Sequence, residues 1–128
     1  MSDTYKPPGY STVSPYLLVE RAEQTISFLT RVFDAVELRR YAGNDGRIAH
    51  AELQIEDSVI MLADAPSNKP AIPSLVHIYV ADVDATYQRA LEAGAVSLQA
   101  PLKQDDPDRR AGVKQADGVE WWFASKVE

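Results

Sequence analysis

The sequence predicts an α+β fold of two tandem βαβββ modules, whose strands form a curved mixed sheet, or half-barrel, around a cavity. Three observations support this fold. The halves repeat at an offset of 61 residues, so that Val19 aligns with Val80 and Met61 with Trp122. Each half has the order strand, helix and three strands. Between the halves, residues 64–73 contain three prolines and no periodicity, as expected of a linker.

Module one is predicted over residues 13–63. Residues 13–19 form a short apolar strand, and strands follow at 36–42, 48–55 and 58–63, with turns at 43–46 and 56–57. Strict alternation within 48–55 places Leu53 and Glu52 on opposite faces. Residues 20–33 are an amphipathic helix, because its apolar residues recur at helical spacing: Ala22, Ile26, Leu29, Val32 and Phe33.

Module two is predicted over residues 74–128. Strands are expected at 74–80 and 95–100, and a helix at 82–93 with Asp82 as its N-cap and Gly94 at its end. Residues 101–110 are expected to be a polar loop, followed by a hairpin of 111–115 and 119–125 across residues 116–118. Residues 1–12 are predicted to be a flexible tail, and residues 13–128 a single domain.

Composition excludes several classes of function. A chain of 128 residues with 45% apolar and 25% charged residues is typical of one globular domain. A net charge of −6 argues against a nucleic-acid partner. The absence of cysteine excludes disulfides, thiolate metal sites and cysteine nucleophiles. No apolar stretch approaches the roughly 20 residues that cross a membrane, and no signal peptide is visible, so a cytoplasmic location is expected.

Four segments carry a resemblance to a known family: residues 16–19 (YLLV), 50–64, 77–84 (HIYVADVD) and 108–122. Over about residues 13–127 the chain resembles the vicinal oxygen chelate superfamily of glyoxalase I, bleomycin and fosfomycin resistance proteins and extradiol dioxygenases. It looks most like the PhnB-like glyoxalase branch. The resemblance implies a homodimer. Whether module one of one chain and module two of the other share each cavity stays open.

The resemblance also implies where a metal would be held. Metal-binding members place ligands at the positions that correspond to Ser14, Met61, Leu75 and Trp122. None of these side chains is a competent ligand for the metals used there, which need imidazole or carboxylate. We therefore expect no cofactor and a metal-free site.

Alternation from those four positions defines the cavity face, which is mostly apolar and aromatic. Such a lining suits a flat or apolar small molecule held by stacking. The alternative is that the same residues pack together as a second core. The expected ligand-binding residues are Tyr16, Met61, Leu75, His77, Tyr79, Trp122 and Arg110.

Two of the polar residues are candidates for catalysis. His77 is one of two histidines, and a histidine is the natural acid or base near neutral pH. Glu52 is a candidate general base. An alternative is a displaced divalent metal site formed by His50, Glu52 and His77. The simpler interpretation is a half-solvated polar strand face.

Arg109 and Arg110 are expected in the loop 101–110, which the family resemblance places at the cavity mouth. A guanidinium there can bind a ligand carboxylate or phosphate. The alternative is an ion-paired cluster with neighbouring aspartates. Three functions therefore follow from the sequence. The first is a small-molecule binding protein, the second a lyase, isomerase or dioxygenase, and the third a scaffold with a filled cavity.

Overall fold

A computed structural model describes residues 5–115 and 118–128, and its elements follow the predicted order. Module one contains β1 (Tyr16–Val19), α1 (Ala22–Phe33), β2 (Val36–Ala42), β3 (Ile48–Ile55) and β4 (Ser58–Asp64). Module two contains β5 (Ser74–Tyr79), α2 (Val83–Glu92), β6 (Val96–Lys103), β7 (Asp108–Lys114) and β8 (Val119–Lys126). The two-module α+β fold is confirmed.

The strands form two four-stranded mixed sheets. Sheet one has the order β1-β4-β3-β2, and sheet two has the matching order β5-β8-β7-β6. In each, the first and last strands of the module pair in parallel, with Tyr16 opposite Met61 in sheet one and His77 opposite Trp122 in sheet two. Each residue of the second pair lies 61 positions after its counterpart in the first pair, so the sequence repeat is also a structural repeat. The sheets are not closed into a barrel.

The core lies between the sheets and their helices. Apolar residues of the central strands are buried in this core, namely Leu53, Ile55, Ile60, Leu62, Trp121 and Phe123. Phe28 and Phe33 of α1 place their ring centroids 6.1 and 6.2 Å from that of Trp121 in module two. The first helix therefore packs against the second sheet, and one apolar core joins both modules.

An aspartate accepts backbone hydrogen bonds at the start of each helix. Asp82 accepts a hydrogen bond from the Ala85 amide at 3.0 Å, and Gly94 has φ +99°, so both predicted ends of α2 are confirmed. At the start of α1 the Asp64 carboxylate accepts from the amides of Ala22 and Ile48, both at 2.7 Å. This aspartate, predicted as the first linker residue, ends β4 and ties it to a helix and a neighbouring strand.

The predicted loop at residues 101–110 is wrong. Strand β6 continues to Lys103 and β7 begins at Asp108, so the connection is four residues long. The strand accommodates Pro101 because β6 lies at the sheet edge, where the missing proline N–H breaks no ladder bond. The pairing is irregular there, between Gln99 and Leu102. Residues 116–117 of the predicted turn lie outside the described residues.

The described part of the N-terminal segment contacts sheet one. Tyr10 donates a hydrogen bond to Glu52 at 2.5 Å, and the Ser11 hydroxyl accepts one from the Val59 amide at 3.3 Å. The second half of this segment therefore crosses sheet one. Neither described helix has the length and apolar character needed to span a bilayer.

Candidate functional site

Each sheet has an open face, which we define as the face turned away from the helices. This is the face that the sequence predicted to line a cavity. Large side chains are exposed on both open faces: Tyr16 of sheet one to 50%, and Leu75 and Tyr79 of sheet two, each to 64%. Exposed aromatic and aliphatic groups commonly mark a binding site or an interface.

The open face of sheet one carries a buried carboxylate. Alternation places Glu52 on this face, yet the residue is only 4% exposed. Its Oε1 accepts a hydrogen bond from the Tyr10 hydroxyl at 2.5 Å and lies 3.3 Å from Arg39 Nε. Its Oε2 lies 2.8 Å from His50 Nε2. Both oxygens are therefore occupied, as a buried charge requires.

These contacts keep Glu52 ionised. Burial acts to raise the pKa of its carboxyl, but the hydrogen bonds from Tyr10 and His50 and the charge of Arg39 outweigh it and lower the pKa below its ordinary value. In return, the hydrogen bond to Glu52 raises the pKa of the Tyr10 hydroxyl. Glu52 is thus a fixed negative charge beneath the surface.

His50 is held between Glu52 and two tyrosines. Its Nδ1 lies 2.9 Å from the Tyr16 hydroxyl. The Tyr41 ring is stacked on the imidazole, with centroids 6.1 Å apart. Because an ionised carboxylate can only accept, His50 Nε2 donates to Glu52, and its Nδ1 is left to accept from Tyr16 when the imidazole is neutral.

The open face of sheet two carries a network centred on Arg110. Its Nε donates to His77 Nε2 at 3.1 Å, and its terminal nitrogens contact Asp106 at 2.9 Å and Asp108 at 3.2 Å. Asp108 also accepts a hydrogen bond from the Tyr79 hydroxyl at 2.8 Å. Arg110 therefore lies on a strand with two carboxylate partners, which favours the ion-paired interpretation over a free anion clamp.

The pKa of His77 lies below its ordinary value. Burial has the largest effect on its pKa, and the Arg110 charge lowers it further against the opposing charge of Asp108. The Tyr79 hydroxyl, hydrogen-bonded to Asp108, has a raised pKa. The second predicted arginine of the loop, Arg109, is on β7 and pairs with Asp84 at 2.8 Å.

Trp122 lies flat across β7. A Cβ added at Gly112 would lie 2.5 Å from an atom of the indole six-membered ring. Gly112 is the residue paired with Trp122 across the two strands, so the missing side chain makes room for the ring. The indole N–H donates to Glu120 at 2.9 Å. A half-buried aromatic ring is thereby fixed on the open face.

The metal positions implied by the family resemblance do not fit a metal. Trp122 has only an N–H to offer, Leu75 has no donor atom, and the hydroxyl of Ser14 lies 3.2 Å from that of Ser11. Within residues 5–115 and 118–128, no three His, Asp or Glu side chains are grouped to hold a metal.

The predicted catalytic residues are separated. Glu52 lies on sheet one with His50, whereas His77 lies on sheet two and contacts Arg110. The predicted ligand-binding residues divide in the same way. Tyr16 and Met61 are on sheet one, and Leu75, His77, Tyr79, Trp122 and Arg110 are on sheet two. Of these, His77 and Tyr79 line a cleft of about 420 Å³ between the modules.

Sequence reasoning missed three residues of the site on sheet one. Arg39 and Tyr41 pair across β2 and β3 with Glu52 and His50, a placement that alternation along residues 36–42 would have indicated. Tyr10 reaches Glu52 from 42 residues away in the chain. No local pattern indicates that contact.

Comparison with known proteins places the chain in a family. The sequence model of the glyoxalase/bleomycin resistance protein/dioxygenase superfamily matches residues 11–123. The chain belongs to this superfamily. An uncharacterized protein of Mycobacterium bovis is 38% identical over 126 residues, which cover 90% of this chain and 83% of that protein.

Two solved structures share this fold. TioX from Micromonospora sp. ML1 superposes with a TM-score of 0.75 at 24% identity, covering 91% of this chain and 98% of TioX. The PhnB protein from Bacillus cereus superposes with a TM-score of 0.67 at 15% identity, covering 90% and 99%. At these identities the likeness concerns the fold alone.

Proposed function

We propose that this superfamily member binds a small apolar or aromatic molecule against its open sheet faces, in a site that uses no metal. The observation that carries the proposal is the fixed aromatic surface. Trp122 lies across Gly112, and Tyr16 and Tyr79 expose half or more of their surface. Burying about 200 Å² of an aromatic ligand contributes roughly 5 kcal/mol before the costs of association.

A homodimer is part of the proposal. Each open face alone is a surface rather than an enclosed pocket, and both expose large side chains. Pairing sheet one of one chain with sheet two of a second would cover both faces and enclose the ligand. We also propose that the protein belongs to the PhnB-like branch of the superfamily. Sedimentation equilibrium should give twice the chain mass, and a monomer at micromolar concentration would contradict the pairing.

Tryptophan fluorescence tests the binding. The two tryptophans differ usefully, because Trp121 is fully buried and Trp122 is half-buried on the open face. Titration with a panel of naphthalene, quinoline and nitrobenzene derivatives should quench wild-type emission saturably. The Trp122→Phe variant should keep the Trp121 emission without that quenching. If no compound quenches the wild type, the binding proposal fails.

Elemental analysis tests the metal-free part of the proposal. Protein purified without chelator or metal-affinity tag should contain well under one divalent ion per chain after dialysis. The four positions implied by the family offer no imidazole or carboxylate, which is the reason for this expectation. A stoichiometric metal would overturn it and direct attention to His50 and Glu52.

An enzymatic function is the second candidate, and the contact between His50 and Glu52 favours it. A buried carboxylate 2.8 Å from an imidazole is the arrangement that orients a general base. The pair His77 and Glu52, expected from the sequence, is not assembled within the chain because the two residues lie on different sheets. His50 takes the place of His77 in this second candidate.

A further inference from the structure

We propose that Tyr16, His50 and Glu52 form a proton relay on the open face of sheet one. Its outer end, the Tyr16 hydroxyl oxygen, accepts a proton from an O–H or N–H group of an aromatic ligand. The inference rests on the proposed binding function and adds the ligand class: aromatic molecules with an acidic proton, such as phenols. The predicted role of Tyr16 from sequence was stacking alone.

The buried end of the relay determines its direction. Glu52 Oε1 is occupied by Tyr10 and Arg39, so Oε2 remains for His50. A carboxylate accepts only, and it therefore holds the proton of His50 on Nε2. The opposite nitrogen, Nδ1, presents a lone pair toward Tyr16 at 2.9 Å.

The exposed end of the relay is available to a ligand. When Tyr16 donates its O–H to His50 Nδ1, the lone pairs of its oxygen remain free, and the residue is 50% exposed. The Tyr16 and His50 ring centroids are 5.5 Å apart, and Tyr41 stacks on the imidazole from sheet one as well. A flat ligand on these rings would bring its polar substituent to the Tyr16 oxygen.

The proton transfer balances without any other reactant. The ligand X–H bond breaks and its proton joins the Tyr16 oxygen, while the Tyr16 O–H bond breaks and that proton joins His50 Nδ1. The products are a ligand anion and an imidazolium 2.8 Å from the Glu52 carboxylate. The Arg39 charge opposes the imidazolium, whereas Tyr10 and Tyr41 are neutral, so the carboxylate is the group that stabilises it.

Sheet two provides an internal contrast. His77 occupies the position equivalent to Tyr16, since each is paired with the matching residue of the last strand. There the imidazole accepts a hydrogen bond from Arg110, whose guanidinium does not give up its proton in proteins. The two open faces therefore differ chemically, and the relay belongs to sheet one alone among the described residues.

The test compares 4-nitrophenol with 4-nitroanisole, which lacks the acidic proton. Equilibrium dialysis gives both affinities at a pH where free nitrophenol is protonated, and absorbance reports whether the bound probe is phenol or phenolate. Wild-type protein should bind nitrophenol about tenfold more tightly than nitroanisole. It should also hold nitrophenol largely as the phenolate.

Two variants and one control make the test specific. Tyr16→Phe and His50→Gln should each bind the two probes equally and leave nitrophenol protonated. His50→Gln retains the Tyr16 ring, so it answers the question even if Tyr16→Phe loses its fold, which thermal melting would reveal. The control is Tyr87→Phe, which removes a tyrosine hydroxyl of α2 that is hydrogen-bonded to Ser97 of β6. This variant should bind both probes as the wild type does.

The outcomes separate this inference from the proposed function. Equal binding of both probes by the wild type, with nitrophenol still protonated, would overturn the relay and leave aromatic binding intact. A full preference for nitrophenol in both variants would overturn the relay as well. Failure of the wild type to bind either probe would count against the binding function and the relay together.

Discussion

Replacing Gly112 by alanine tests the position of the Trp122 indole. The added Cβ would lie 2.5 to 2.7 Å from three atoms of the ring, and ordinary van der Waals contact begins near 3.4 Å. The ring must therefore move by about 0.9 Å, the difference between 3.4 and 2.5 Å. Overfilling a packed site costs about 1–3 kcal/mol. The lower entropy of the unfolded alanine chain offsets about 0.4–1 kcal/mol.

We expect Gly112→Ala to lower the free energy of unfolding by about 1.5 kcal/mol, or the melting temperature by about 4–6 °C. Urea unfolding gives the first quantity, and the emission maximum of the folded protein should shift as Trp122 changes its environment. Gly43→Ala is the matched control. The atoms nearest to its added Cβ lie at 3.5 to 3.9 Å, so stability should change little.

A double-mutant cycle sharpens this prediction. In a Trp122→Ala background the obstructing ring is gone, and Gly112→Ala should then be neutral or slightly stabilising. The expected coupling between the two positions is about 1 kcal/mol or more. Unchanged stability and emission of Gly112→Ala in the wild-type background would refute the placement of the indole over Gly112.

Two further predictions concern carboxylates, the half-buried Asp64 and the buried Glu52. Asp64→Ala should destabilise the protein by about 2–4 kcal/mol in urea unfolding, because the amides of Ala22 and Ile48 each lose an acceptor; an effect below 0.5 kcal/mol would contradict their dependence on Asp64. Glu52 has a folded-state pKa below its unfolded value, so its contribution is complete above about pH 4.5 and is lost as the pH falls through the lower folded pKa. Glu52→Gln should therefore flatten the loss of stability below pH 4.5, and an unchanged acid profile would contradict the lowered pKa.

The sequence determined the local elements because their patterns are local. The helical stripe on α1 and the alternation on β3 each depend on residues a few positions apart. The stripe is buried as predicted, and the alternation holds from His50 to Ile55 except at the buried Glu52. Edge features were less predictable: residues 101–103 were predicted as loop, yet they continue β6, because a strand at the edge of a sheet tolerates Pro101.

The candidate site was predicted only in part. Alternation placed Tyr16, Trp122 and His77 on the open faces, where they lie. It did not indicate that Glu52 is buried on such a face, because the covering Tyr10 comes from a segment without periodicity. Alternation also could not show that Glu52 and His77 lie on different sheets, because residues on two sheets share no local pattern.

What the sequence determined by itself is therefore the fold: two copies of one βαβββ unit, with an apolar face toward the helices and an aromatic face away from them. Only the tertiary structure decided which polar groups meet. Tyr10 and Glu52 are 42 residues apart, and Tyr16 and His50 are 34 apart. Hydrogen bonds require atoms within about 3 Å, and that proximity arises only when the sheet and the N-terminal segment are assembled.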